Sequence, residues 1–292
     1  MLQRLLRPQS GLAAISKKPS TGLPRFQYRS LHHVPQLTHE RIFKEHGISE
    51  FMSPEGFDFA WTQYQSLMVE KLNLMTQDTA DADLDTLALV KKYAKRRETA
   101  HLFNYASMAH NNHFFFHRLS PVKVPLPEKL SSDMSDSASS PESLKQDFLA
   151  AASAQFGPGF VWLVTQNQTG LLRILSTYNA GTPYPEAFAR QQGVDMNTEP
   201  AAPASQKFIS FLGLPMSGEG NADLAPGAIS LTPLLCVNTW EHAWMMDYGI
   251  NGKDEYLERW WDRVDWNAVE DAHKATRGYG VNVNKRPLSY AI

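Results

Sequence analysis

The residue pattern predicts an α+β protein, with helices gathered in the first part of the chain and strands in the second. Three observations carry that expectation. Phe57, Trp61, Tyr64, Met68, Leu72 and Met75 recur at steps of three and four, which is one face of an amphipathic helix. Residues 171–177 alternate as a strand does, with 166–170 as the turn before it. Residues 231–237, Leu-Thr-Pro-Leu-Leu-Cys-Val, form an apolar run short enough for a buried strand and too short for a buried helix.

With 292 residues, 42% hydrophobic and 11% aromatic, the chain can bury a sizeable core as one large domain or two small ones. No apolar run approaches the roughly 18 residues that begin to suggest a membrane span, so no membrane partner is expected. Cys236 is the sole cysteine, which excludes an internal disulfide framework and fits a reducing compartment. Its place inside a predicted strand makes it a small buried hydrophobe rather than a reactive thiol.

Residues 1–39 differ from the remainder. They contain no acidic residue, while Arg4, Arg7, Lys17, Lys18, Arg25 and Arg29 stand among Leu, Ser, Gln and Ala. This is the composition of a mitochondrial transit peptide; a basic arm that stays on and touches nucleic acid is the competing reading. Beyond residue 39 there are 22 basic and 30 acidic residues, a formal charge of −8. So acidic a body gains little from a phosphate backbone, and limited or no nucleic-acid contact is expected.

Taken in order, residues 84–94 predict a second helix with Leu84, Leu87, Leu89 and Val90 inside, and Lys91, Lys92, Lys95, Arg96 and Arg97 as a solvated basic end. A third helix follows from Phe103, carrying His110, His113 and His117. That spacing could be a metal comb, although histidines so placed more often cap or pack. Residues 122–142 are rich in Pro, Ser and Asp, lack helical periodicity and read as a linker or partly disordered loop. After the 231–237 strand, Asn238 and Thr239 serve as turn or cap residues, and an aromatic helix places Glu241 and His242 in its first turn. A site is expected at that junction. Residues 254–275 continue as helix with Leu257, Trp260, Trp261 and Val264 as core, and five of the seven tryptophans lie between Trp240 and Trp266.

Trp240, Glu241, His242 and Ala243 resemble the signature of iron and manganese superoxide dismutases. In that family a strand ending in Asp leads through Val-Trp-Glu-His-Ala-Tyr into a helix, and the Asp and the His bind the metal. The aspartate position here is Asn238. The stretch ending Leu72-Asn73 resembles the family's first long helix, which puts its first ligand on Ala60, the neighbouring His on Trp61, the next His on Tyr64 and the active-site Tyr on Met68. Asp58 lies about 160° around the helix from Ala60 and does not easily replace the ligand. The third helix is similar to the family's Asn-His segment, with His113 as the ligand; no gating glutamine is evident near it. Residues 143–164 resemble the helix-to-strand entry of the C-terminal domain, with Gly157 and Gly159 in the turn.

The resemblance implies the iron/manganese superoxide dismutase fold: an α-helical hairpin domain at 40–121, the linker 122–142, and an α/β domain at 143–280 with a three-stranded antiparallel sheet and a tail at 281–292. Residues 185–230 would then be an insertion without counterpart in compact dismutases. Its apolar stretch 208–214 either docks on a partner or packs back on its own domain. Of the four vestigial ligand positions, His113 and His242 keep imidazoles while Ala60 and Asn238 do not. No cofactor, no bound metal and no catalytic residue are therefore expected.

A transit-like segment, an acidic body, an insertion and a broken ligand set are similar to the dismutase-like proteins of the fungal mitochondrial small ribosomal subunit. That resemblance implies a non-enzymatic structural protein in the mitochondrial matrix. Its implied partners are a dismutase-like paralogue, joined as a heterodimer through Glu241, His242 and Met245, and other small-subunit ribosomal proteins. Two alternatives stand beside it: an active mitochondrial iron/manganese superoxide dismutase with altered ligands, and a matrix binding module that docks through the insertion.

Overall fold

In the computed structural model, residues 32–77, 79–94, 96–188 and 230–280 are described. The basic segment up to residue 31, the insertion from 189 to 229 with its 208–214 stretch, and the tail 281–292 lie outside them. Helix α1 (Glu40–His46) is followed by α2 (Pro54–Phe57), a π-helical turn (Asp58–Gln63) and α3 (Tyr64–Thr76), the last three forming one continuous helical run. Ser53 caps it by accepting from the Gly56 amide, with Pro54 at the first helical position. The expected stripe holds: Phe57, Trp61, Met68 and Leu72 are buried, and Phe57 and Trp61 both pack their rings against Phe116.

Helix α4 (Thr86–Tyr93) starts where the Asp85 carboxylate accepts from the Ala88 amide, and α5 (Ala100–His117) completes the helical hairpin. The basic end of α4 is not merely solvated. Lys92 pairs with the buried Asp81 carboxylate, which also accepts from the Tyr93 hydroxyl.

The expectation of a linker at 122–142 is corrected. Helix α6 (Glu128–Ala138) lies there, burying Leu130 and Met134, before α7 (Pro141–Ala154). The serines that read as loop formers bond backward along the helix, Ser135 Oγ to the Ser131 carbonyl at 3.0 Å and Ser137 Oγ to the Asp133 carbonyl at 2.9 Å. Asp133 is itself buried, and its carboxylate meets His273 Nε2 at 3.2 Å, a partner 140 residues away. Short-range patterning has no access to that contact.

Strands β1 (Gly159–Gln166), β2 (Leu172–Tyr178) and β3 (Leu231–Asn238) form an antiparallel sheet in the order β2-β1-β3, with the short helix α8 (Pro185–Phe188) after β2. Gly170, at φ +74°, closes the β1–β2 turn. A Cβ on Gly159 would come within 2.1 Å of the Thr177 carbonyl, so the close approach of β1 and β2 requires glycine. The β1–β3 register shifts between Leu163 and Val164, beside Pro233, where a strand without that amide bulges.

Two further expectations are corrected after β3. The aromatic stretch forms only a 3₁₀ turn (Glu241–Ala243) and the single-turn helix α9 (Met245–Tyr248), ended by Gly249 at φ +68°. Residues 254–275 are two helices rather than one, α10 (Lys253–Trp261) and α11 (Trp266–Gly280). Asp265 caps the second, its Oδ1 accepting from the amides of Asn267 and Ala268. Trp260 and Trp261 belong to the core as expected, with Phe148 of α7 stacked on Trp260 at 5.4 Å.

Candidate functional site

The site lies where the hairpin meets the end of the sheet. The π-helical turn carries Ala60, α5 carries His113, the last residue of β3 is Asn238, and the 3₁₀ turn carries His242. Ala60 and Asn238 are completely buried. Tyr64 lies flat on His242, with ring centroids 3.9 Å apart and planes 13° from parallel. Trp61 packs beside His113 at 5.9 Å, and Trp240 beside His242 at the same separation. Aromatic rings thus pack against both remaining imidazoles.

Burial decides the protonation of these histidines. It pulls His113 down to about 4, with help from His117 and Arg118, and it pulls His242 down to about 4 as well. The Tyr64 hydroxyl is pushed up to about 12 by the same cause, so near neutral pH it stays a phenol. His110, His113 and His117 of α5 do not act as a comb. His110 bonds the Tyr184 hydroxyl through Nε2 at 2.7 Å and faces Thr86 Oγ1 with Nδ1 at 3.5 Å, while His117 is exposed.

Two residues that sequence reasoning missed complete the centre. Gln65 and Asn112 are both buried. The Trp240 amide donates to Asn238 Oδ1 at 2.9 Å, and Asn238 Nδ2 donates to Asn112 Oδ1 at 3.2 Å. Asn112 Nδ2 then donates to the Ala60 carbonyl and to Gln65 Oε1, each at 3.2 Å, and Gln65 Nε2 donates to the Ala109 carbonyl at 2.9 Å. The Asn238 carbonyl is held as well, by the Tyr256 hydroxyl at 2.8 Å. A signal existed: Asn111-Asn112 interrupts the buried face of α5, and asparagine is a poor helix former unless its amide is used.

These residues do not fit an iron or manganese ion. The four family positions offer two neutral imidazoles, a methyl group and an amide whose oxygen is already taken. Among the described residues, no group of three or more His, Cys, Asp or Glu side chains is placed to hold a metal. His242 Nε2 is buried without a hydrogen-bond partner among them.

On the outer side, Glu241 is exposed, and so are Met245 (38%), Met246 (57%) and Ile250 (79%), with Phe59 (45%) on the π-helical turn. The π-helical turn and the 3₁₀ turn touch. Of the three residues singled out for an interface, Glu241 and Met245 are exposed, while His242 is half-buried with its ring on Tyr64.

Comparison with known proteins agrees with this geometry. The family described as iron/manganese superoxide dismutases, C-terminal domain, matches residues 126–195 and 216–272, so it takes in α6. The chain is similar to small ribosomal subunit protein mS43 of Schizosaccharomyces pombe, 27% identical over 249 residues, which are 82% of this chain and 83% of that protein. It is 30% identical to small ribosomal subunit protein mS42 of the same organism over 239 residues, 79% of this chain and 92% of that protein. It is 24% identical to an iron superoxide dismutase of Helicobacter pylori over 242 residues, 83% of this chain and 91% of that enzyme. This chain belongs to the iron/manganese superoxide dismutase-like family.

Proposed function

We propose that this protein is a structural constituent of the small subunit of the mitochondrial ribosome and carries out no dismutation of superoxide. The observation that carries this is Asn238. At the position of the family's anionic ligand it is neutral, fully buried, and committed on both side-chain atoms to protein groups. The similarity to mS43 and mS42, both small ribosomal subunit proteins, supports the ribosomal role. The transit-like composition of residues 1–39 and the acidic body support the mitochondrial matrix, with attachment through protein surfaces rather than rRNA.

The partner we propose is a dismutase-like paralogue, bound as a heterodimer at the face formed by Glu241, His242 and Met245. A ribosome offers one asymmetric site, which favours two different subunits over two copies of one. The exposed Met245, Met246, Ile250 and Phe59 supply apolar area, and Glu241 supplies a charged acceptor for a cross-subunit hydrogen bond. Glu241→Ala is expected to leave stability within about 0.5 kcal/mol, as for other surface changes, and to weaken recovery of the paralogue in a pull-down. Equal recovery would place the interface elsewhere.

The deciding experiment fractionates a mitochondrial lysate on a gradient at moderate salt and probes for this chain. Co-migration with the small subunit is expected. Presence only in the soluble fractions would remove the ribosomal role and favour the binding module. Elemental analysis of the purified protein is expected to find no stoichiometric iron or manganese; about one redox metal per chain together with superoxide consumption would restore the dismutase alternative.

A further inference from the structure

We infer that the buried relay Trp240–Asn238–Asn112–Gln65 has taken over the mechanical task of a metal at this junction, and that its one-way donor order makes the site incompatible with an ionised carboxylate at position 238. In a metal centre, one ion would tie the π-helical turn, α5, β3 and the 3₁₀ turn together. Here three side-chain amides span much of the same gap. Asn238 reaches from β3 to α5, and Asn112 reaches from α5 to both Gln65 on α3 and the Ala60 carbonyl on the π-helical turn.

The direction of the relay follows from its ends. One end is the Trp240 amide, which can only donate; the other is the Ala109 and Ala60 carbonyls, which can only accept. Each amide between them must therefore present its oxygen toward Trp240 and its nitrogen toward Ala109. A carboxylate in place of Asn238 accepts from Trp240 but has nothing to give Asn112. Turning Asn112 over brings its oxygen against the Ala60 carbonyl and Gln65 Oε1, and turning Gln65 as well moves the conflict to the Ala109 carbonyl. One buried acceptor always faces another, until the carboxyl takes up a proton and regains a donor. The inference is independent of the ribosomal role, because it concerns how the chain holds itself together and is read on the isolated protein.

The test compares thermal unfolding of the wild-type chain, Asn238→Asp and Gln65→Glu, in chelator, at pH 8 and pH 6. The two substitutions nearly preserve shape and remove a donor from opposite ends of the relay. Both variants are expected to melt about 5–10 °C below wild type at pH 8. Each deficit, measured against wild type at the same pH, is expected to narrow at pH 6. If Asn238→Asp does not fold, Gln65→Glu reads the same relay from its other end. In a separate chelator-free melt, added manganese is expected to leave the wild-type melting temperature unchanged. Variants that melt with wild type, deficits equal at both pH values, a deficit in Gln65→Glu alone, or a manganese-induced rise in the wild type would each overturn the inference.

Discussion

Acidification should weaken this protein well above the pH at which carboxylates protonate, and three histidines set the size of the effect. His110, His113 and His242 each titrate at about 4 in the folded chain against an ordinary histidine value of 6.5, burial being the largest cause every time. Their folded values lie below the unfolded one, so the unfolded chain binds more protons between about pH 6.5 and 4. Stability is therefore complete above pH 6.5 and is lost as the pH falls through that window. At pH 5 one such group withholds about 2 kcal/mol, since a pKa unit is worth about 1.4 kcal/mol. His113 is partly solvated, so its share is discounted, and the net loss by pH 5 is about 4–6 kcal/mol. Set against a typical total of about 5–15 kcal/mol, that is a large fraction. The assay is urea unfolding at pH 8, 7, 6 and 5, for wild type and His242→Phe. The variant keeps a ring on Tyr64, loses a nitrogen that bonds nothing among the described residues, and loses the titration. It should gain on wild type as the pH falls, by about 2 kcal/mol at pH 5. Parallel stability curves for the two proteins would refute the assignment of the acid lability to this site.

Asp133→Ala should lower stability by about 1–3 kcal/mol, because it strips His273 Nε2 of a buried hydrogen-bond partner, and hydrogen exchange should quicken in α6 first. Ala60→His alone should cost about 1–3 kcal/mol or more by overpacking a completely buried position, with no metal retained on elemental analysis, since Asn238 remains committed to the relay.

Much of the fold can be read from the chain alone, because the relevant preferences are local. The stripe from Phe57 to Met75, the short apolar run into β3 and the turn at 166–170 each follow from periodicity or from glycine at a left-handed position. The Trp240-Glu-His-Ala block, with Ala60 and Asn238 at the positions of absent ligands, marks where the site lies and that its chemistry has changed. Where sequence reasoning fails, the deciding partner is remote or the stop signal is easily passed over. Helix α6 reads as a linker because Asp133 and the serines look like loop residues until His273 and the backbone carbonyls of the preceding turn satisfy them. The aromatic stretch after β3 reads as a helix beginning at Glu241, yet it forms a 3₁₀ turn and one helical turn that Gly249 ends, and Asp265 starts a new helix that the pattern alone merges with its neighbour. The relay is invisible for a stronger reason. Asn238 lies 126 residues from Asn112, and Asn112 lies 47 from Gln65. An amide carries no periodicity that reveals what it will face. Whether a buried asparagine is a lost ligand or a structural link depends on which donors and acceptors packing brings within about 3 Å of it.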